Sequence, residues 1–408
     1  MRILIIGAGV GGLCLAQGLR AADLDVAVYE RAAAPTEQLA SYGIHLNADG
    51  CRALHECLPP ANWARLDAVA APARDTVRFH DQHLRPLAVR DNEPAGPPDP
   101  VTRRRAVSRD ALRDVLLDGL AGAGGAVAWG RTFTGYERTS NGRLRARFAD
   151  GSHADGDLLI GADGSNSRVR RQYLPELPRL DLGVLTVAGR CPLTPGIAEQ
   201  LPAALLDGSV NNVVPPGAGW LFVSTWGAPD RAGTYVVWAY VAARPSCPPD
   251  VEQPPGARLR DLVLDRIEGW AGGLRTLVAA SAPATVAPVA LRSMPTLRPW
   301  PASTVTLLGD AVHNMTPMAG IGANTALRDA GVLRRALLEV GAGRRSPIDA
   351  VAGYEEQMRG YANAALSRST RNARNAAAGA RLPRLAFRTM LRAAEAVPPV
   401  KRAMFPST

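Results

Sequence analysis

Lysine is nearly missing from this chain: Lys401 is the single one among 408 residues. The positive charge is therefore arginine, and 47 basic against 37 acidic residues leave a formal charge of +10. The arginines are spread out, and the run Arg103-Arg104-Arg105 is not interleaved with aromatics, so the charge does not indicate nucleic acid. Alongside abundant Ala, Gly and Pro it reads as the codon bias of a GC-rich genome. An anionic ligand of dinucleotide size would need only a few of these arginines. Cysteine is scarce too. Cys14, Cys51, Cys57, Cys191 and Cys247 are odd in number, form no Cys-x-x-Cys and meet no His cluster. That excludes a zinc site and a disulfide framework, and leaves buried reduced thiols in a cytoplasmic protein as the expectation. No apolar run is long enough to span a membrane. Residues 3–19 are apolar but broken by glycine, which suits a strand and helix better than a leader. No fixed-period repeat and no Gly-x-Ser-x-Gly nucleophile elbow is present. With 47% hydrophobic and 21% charged residues, disorder is excluded and a large core is affordable.

What is present begins with Arg2–Ile6, a short β-branched run that reads as a buried parallel strand. Gly7–Gly12 turns, Leu13–Ala22 continues as a helix, and Asp25–Glu30 reads as a second strand: a βαβ unit. Ser41–Asn47 is expected to be extended, Cys51–Leu58 helical, and Val107–Leu120 helical with Arg109 in its first turn. Strands are expected at 126–129, 132–138, 144–148 and 158–160, with Asn141-Gly142 as a hairpin turn. From about 180 to 245 the period is two, clearest in Gly219–Trp226 and Thr234–Val241. A helix at 257–270, a strand at 304–308 and helices at 323–340 and 347–378 follow. The tail from Gly379 is basic, amphipathic and broken by Pro383, Pro398 and Pro399; a packed helix is expected rather than one lying on a membrane surface, with no stable membrane association. The fold class is α/β: a Rossmann-like domain interrupted by a β-sheet domain, with C-terminal helices. The expected boundaries are 1–72, 100–178 and 285–375 for the first, 73–99 and 179–284 for the second, and 376–408 for the tail.

Three glycine-rich sites make one argument. Gly7-Ala-Gly9-Val-Gly11-Gly12 fits G-x-G-x-x-G between a strand and a helix, with Glu30 ending the next strand. Gly7 permits the turn, Gly9 lets backbone approach a pyrophosphate, and Gly12 allows close packing. The helix N-terminus offers free N–H groups to phosphate, and the carboxylate accepts from ribose hydroxyls. Second, Asp163-Gly164 follows a buried strand, with Ser167 and Arg170 entering a helix. A ligand contact and a simple Asp/Ser helix cap both remain open there. Third, Gly309-Asp310 leads through Met315, Thr316, Pro317, Met318, Gly320 and Gly322 into a helix starting near Ala323. A carboxylate at a strand end can hold a polyol hydroxyl and a positive helix end can stabilise negative charge on a flat ring, with a plain loop as the open alternative for this stretch alone.

In this order and spacing the three sites resemble the class A flavoprotein monooxygenases, the family of the p-hydroxybenzoate and salicylate hydroxylases and the tetracycline-inactivating monooxygenase. The resemblance covers residues 1–375. It implies FAD in the loop of Gly7, Gly9, Gly11 and Gly12, with Glu30 on the adenosine ribose and Arg31 among the cofactor-binding residues. It places Arg109 near the diphosphate and ribityl chain, and Asp163 and Gly164 in a motif serving both FAD and NAD(P)H. Asp310 would bind the ribityl chain, while Pro317, Gly320, Gly322, Ala323 and Asn324 surround the isoalloxazine pyrimidine. Thr316 stands where the family pattern has a second proline and Ile321 where it has glutamine. The extra thioredoxin-like domain of some polyketide and phenol hydroxylases is not expected after the long helices.

The resemblance further implies the reaction. NADPH or NADH reduces FAD, O₂ forms a flavin C4a-hydroperoxide, and one oxygen atom enters an aromatic or polycyclic small molecule, in secondary metabolism or xenobiotic modification. Epoxidation, Baeyer–Villiger insertion, reductase or oxidase chemistry, or a non-catalytic flavin sensor stay open as alternatives. Halogenation does not fit, because such enzymes need a lysine near the flavin and the Trp-x-Trp-x-Ile-Pro motif is absent. No side chain is a certain catalyst; His45 and Asn47 share one face of their strand and are candidates, with a solvated strand face as the equal alternative. Trp220, Phe222 and Trp226 share one side of a strand, and Trp238 and Tyr240 share a side of another. With Met315 and Met318 they are substrate-wall candidates against ordinary core packing. No metal is expected.

Overall fold

The structure is a computed structural model describing residues 1–34, 43–73, 75–91, 99–120, 125–227, 233–247 and 255–405. Two compact units comprise it: Met1–Pro72, Asp99–Leu180 and Arg292–Thr370 in the first, and Ala73–Pro98, Asp181–Leu291 and Arg371–Thr408 in the second.

The first unit rests on near-continuous apolar strands, the pattern that burial on both faces requires. Its elements in chain order are β1 Arg2–Ile6, α1 Val10–Arg20, β2 Asp25–Tyr29, β3 Ile44–Leu46, α2 Ala48–Cys57, α3 Pro60–Val69, β4 Ala71–Pro72, β5 Arg105–Val107 and α4 Arg109–Leu117. There follow β6 Val127–Ala128, β7 Phe133–Arg138, β8 Leu144–Phe148, β9 His153–Gly156, β10 Leu158–Gly161, α5 Arg168–Tyr173, β11 Val305–Leu307, α6 Asp310–His313, α7 Gly322–Gly341 and α8 Pro347–Ala377. The main sheet is parallel in the order β11-β10-β1-β2-β6, with Ile3 in register with both Leu158 and Val26. Ile3, Leu4, Ile5, Leu158, Leu159 and Ile160 are fully buried. Each such side chain contributes about 2 kcal/mol over its exposed state. Strands β7, β8 and β9 form an antiparallel sheet whose Thr139–Arg143 turn closes on Gly142 at φ +78°. The turn is where Asn-Gly placed it; Asp150-Gly151, with Gly151 at φ +83°, closes the next turn, from β8 into β9. The extended reading of Ser41–Asn47 reduces to β3, since residues 41 and 42 lie outside the described residues.

The second unit holds a seven-stranded sheet in the order Ala287–Ser293, Leu180–Pro192, Tyr235–Ala243, Trp220–Trp226, Val210–Val213, Thr76–His80 and Pro86–Asp91. One face buries Leu221, Val223, Val236 and Trp238 in a core with Leu259 and Val263 of the helix Gly256–Arg266 and Leu274, Leu277 and Val278 of the helix Gly272–Ala279. The tail, expected as a packed segment of its own from residue 376, clusters with this unit from Arg371. Its helix Arg381–Ala396 is tied down by Glu395, which accepts from Val89 N (3.0 Å), and by Arg388, which donates to Gln82 Oε1 (3.1 Å). No helix of the described residues is long and apolar enough to cross a membrane.

Candidate cofactor site in the first unit

Strand β1 delivers the chain at Ile6 into a turn that only glycine fits. Gly7 sits at φ +110°, its N–H donates to Tyr29 O (2.8 Å), and a Cβ there would lie 2.3 Å from Ala162 O. A Cβ on Gly12 would lie 2.4 Å from Gly7 O and 3.1 Å from Ala162 Cβ, so this glycine sets the helix–strand distance. Gly9 differs: a Cβ there meets nothing nearer than Ala162 O at 4.0 Å. Gly9 is also the N-cap of α1, which has neither a side-chain cap nor an acidic residue in its first turn. The helix therefore presents bare N–H groups and its positive end to open space. Glu30, buried beside the turn, accepts from Ala8 N (2.7 Å) through Oε2 and from Ala32 N (3.0 Å) through Oε1, while Arg31 is exposed.

Strand β10 leads into the second loop. Asp163 Oδ2 accepts from Arg168 N (2.7 Å) and Val169 N (3.2 Å), and Ser167 Oγ accepts from Arg170 N (2.8 Å). The Asp/Ser cap left open by the sequence is thus real. It occupies only one carboxylate oxygen; Asp163 Oδ1 is buried with no partner among the described residues. Gly164 beside it, at φ +74°, borders open space. Arg170 ties this loop to the third: its guanidinium donates to Ala311 O (2.8 Å) and Ser165 O (3.1 Å).

The third loop is fixed from behind by Asp329 of α7. Asp329 Oδ2 accepts from Gly309 N (2.7 Å) and lies 2.6 Å from His313 Nε2, while Oδ1 accepts from Tyr361 OH (2.6 Å). The Arg328 guanidinium covers the Tyr361 ring at 4.2 Å. His313 and Asp329 have no exposed surface. Burial alone would lower the His313 pKa; the charge and hydrogen bond of Asp329, with the charge of Asp310, outweigh it and hold the imidazole above its ordinary value. Burial and the Asp329 charge push the Tyr361 phenol upward, so it stays a donor. In front of this hub Asp310 is exposed as the first residue of α6. Thr316, where a proline was expected, is buried and bonds Ser369 Oγ at 2.6 Å. Helix α7 starts like α1, with Ile321 as an N-cap that offers no side-chain acceptor and no acidic residue in the first turn. A Cβ on Gly322 would find only Met315 Cγ at 3.6 Å and Asp310 Oδ1 at 4.0 Å.

The strand β3 joins this loop through Asn324, whose Oδ1 accepts from Asn47 N (2.9 Å) and whose Nδ2 donates to His45 O (2.8 Å). Ile44 and Leu46 face the core as their alternation implied, and His45 is half-buried. Asn47 has a structural task as well: its Oδ1 accepts from Gly50 N (3.0 Å) and caps α2. Arg109 is exposed at the first position of α4, behind the Ser108 cap. Pro317 and Gly320 are exposed, Met318 and Ala323 half-buried, and Met315 lies in the core. In the second unit Trp220 is buried and donates to Asn212 Oδ1 (2.8 Å), with half-buried Phe222 and Trp226 on the same strand face. Trp238 is a correction. It occupies the opposite sheet face, fully buried in the core and donating to Ser281 Oγ (2.7 Å), so it is a core residue. Sequence reasoning gave no role to Asp329, His313 or Tyr361, although they fix the third loop.

A family model for FAD binding domains matches residues 275–369, and one for NAD(P)-binding Rossmann-like domains matches residues 5–64. A solved structure from Photorhabdus luminescens subsp. laumondii TTO1, named for a FAD-containing monooxygenase, is 44% identical with a TM-score of 0.84 over 92% of this chain and 98% of its own. The 3-amino-4-hydroxybenzoate 2-monooxygenase of Streptomyces cremeus is 31% identical, over 87% of this chain and 82% of the relative. The chain belongs to the class A flavoprotein monooxygenases. A dual O-methyltransferase/FAD-dependent monooxygenase of Cercospora beticola is 27% identical over 398 residues, and this chain spans 45% of its length. The residues of this chain fit FAD: the starts of α1 and α7 have neither a cap nor an acidic residue, the Cβ positions of Gly9 and Gly164 border open space, and one buried carboxylate oxygen of Asp163 lacks a donor among the described residues.

Proposed function

We propose that the protein is an FAD-dependent monooxygenase that draws electrons from NADPH or NADH and inserts one atom of O₂ into an aromatic or polycyclic small molecule. The observation that carries this is the pair of bare helix starts, α1 and α7, opening beside glycine-lined space in one unit. The N–H groups of Val10, Gly11 and Gly12 would hold the pyrophosphate, with Arg109 contributing charge. Glu30, each of whose oxygens keeps a lone pair, would take the ribose hydroxyls. Exposed Asp310 would accept from the ribityl chain, and Asp163 Oδ1 from a further donor. The start of α7 at Gly322, Ala323 and Asn324 would stabilise negative charge on the ring. Bound FAD supplies the redox chemistry; the chain binds it, orients it and fixes its charge. The relative named for 3-amino-4-hydroxybenzoate supports an electron-rich aromatic substrate. The five free cysteines, four of them buried, suit a reducing cytoplasm.

The test is to purify the protein with its flavin and screen aromatic compounds for accelerated NADPH oxidation under ¹⁸O₂. A product carrying one ¹⁸O atom supports the reading. Strict dependence on an added flavin reductase, or a halogenated product in the presence of bromide, would overturn it.

A further inference from the structure

Exposed large apolar side chains concentrate in one short stretch. Leu382, Leu385, Met390, Val397 and Val400 account for as many as Met1, Val69, Leu180, Val289 and Ile348 do in all the other described residues, and Leu382 is the most exposed at 81%. The helix Arg381–Ala396 is turned the opposite way from an ordinary amphipathic surface helix. Arg384 and Arg388 point inward with Leu391 and Ala394. Arg384 donates to Ala376 O (3.1 Å) and covers the Trp220 ring at 5.3 Å, and Arg388 pairs with Asp81 at 3.6 Å. At about 100° per residue, Leu382, Ala386, Met390 and Ala393 then form the outward stripe, bordered by Leu385 and, beyond it, Arg381 and Arg392. Val397 and Val400 continue the apolar surface past the helix, beside exposed Arg402.

A stripe this contiguous leaves apolar area in water that a cover would remove. Charge selects the cover. Arg381, Arg392 and Arg402 have no ion-pair partner among the described residues, and Glu395, the single acidic residue after Glu356, is engaged by Val89 N and Lys401. A two-fold contact with a second copy would set these arginines against the same arginines. An anionic bilayer surface offers the complement: headgroup charge for the arginines and an acyl boundary for the leucines.

We propose that the segment Arg381–Arg402 is a reversible, charge-dependent docking surface for anionic lipid bilayers. Leu382, Leu385 and Met390 enter the headgroup boundary, and Arg381, Arg392 and Arg402 meet lipid phosphates. A few apolar side chains without a lipid anchor give reversible, not permanent, binding.

Flotation of the full-length flavin-loaded protein with vesicles tests this, comparing phosphatidylcholine alone with three parts phosphatidylcholine to one part phosphatidylglycerol. Recovery with the anionic vesicles should be about tenfold higher at low salt and collapse in about 0.5 M NaCl. Leu382→Asp with Leu385→Asp, and separately Arg381→Ala with Arg392→Ala, should each lose at least about fivefold of that binding. Flavin content and thermal unfolding should stay unchanged, as these side chains face outward. Equal recovery with both vesicle types would overturn the proposal. So would a dimer in light scattering that the leucine variant dissociates without any vesicle binding; the stripe would then be covered by a second copy.

Discussion

Four helices of the first unit begin under a side-chain cap; of the four that do not, α3 starts on Pro60 and α6 on Asp310, and only α1 and α7 have neither a cap nor a proline or acidic residue in the first turn. Asn47, Ser108, Ser167 and Ser346 accept from Gly50 N, Ala111 N, Arg170 N and Asp349 N at the starts of α2, α4, α5 and α8. Helices α1 and α7 have no such acceptor, although a cap contributes about 1 kcal/mol and the chain supplies one elsewhere. The difference separates what holds the fold from what receives the ligand. Where the acceptor belongs to the protein, the helix start is structural; where it is left out beside open glycine backbone, the N–H groups are free for the acceptor that the proposed cofactor would bring.

The sharpest way to break this comparison lies inside one glycine motif. Gly12→Val drives side-chain atoms into Gly7 O, which is backbone and cannot move aside, so the variant should lose more than about 4 kcal/mol and fail to accumulate as folded protein. Gly9→Val adds its atoms to open space, so the apoprotein should keep its circular dichroism and melting temperature yet be colourless. A yellow Gly9→Val protein at full flavin occupancy would refute the assignment of the bare α1 start.

Two buried carboxylates extend the contrast. Asp329 has three hydrogen-bonding groups around it, and Asp329→Asn leaves His313 without its counter-charge. The loss should be about 3–5 kcal/mol in urea unfolding, with weakened flavin binding because Gly309 is released, whereas Tyr361→Phe should cost only about 1–2 kcal/mol. Glu355 Oε1 accepts from Thr306 Oγ1 at 2.8 Å, and its Oε2 is buried without a hydrogen-bond partner among the described residues. Burial pushes its carboxyl up from 4.5 to about 7. The folded state therefore holds a proton that the unfolded chain releases, and stability falls as pH rises from about 4.5 to about 7. Glu355→Gln should leave stability at pH 4 unchanged and raise it by about 2–3 kcal/mol at pH 8. A parallel pH dependence in wild type and variant would show that this group does not govern the slope.

The same division explains what could be read in the sequence. Gly7, Gly9, Gly12, Asp163 and Asp310 announce themselves because a phosphate turn needs one residue type at fixed local spacing. The hub of Asp329, His313 and Tyr361 does not, because its members lie 16 and 32 residues apart and an aspartate on a long helix reads as solvated. Asn47 carried a usable sign: an asparagine directly before a helical pattern is a preferred cap. Strand alternation placed Trp238 and Tyr240 together, but which sheet face the helices cover is a tertiary choice. The tail misleads for a related reason, since its amphipathic pattern is plain while its inward face is the one with arginines.

The smallest effects test the comparison most directly, because the two classes of helix start should respond with opposite signs. Ser108→Ala removes the α4 cap and should cost about 1 kcal/mol in urea unfolding with little change in flavin affinity. Gly9→Ser does the reverse. Gly9 already has the extended backbone of a cap, at φ −74° and ψ 174°, and its Cβ position is open. A serine there can accept from the first-turn N–H groups and should stabilise the apoprotein by a few tenths of a kcal/mol. The same hydroxyl occupies the donors that phosphate requires, so flavin affinity should fall by about tenfold or more, read by fluorescence on FAD titration. If Gly9→Ser instead destabilised the apoprotein and bound FAD as well as wild type, the bare start of α1 would be a property of the fold rather than of the ligand.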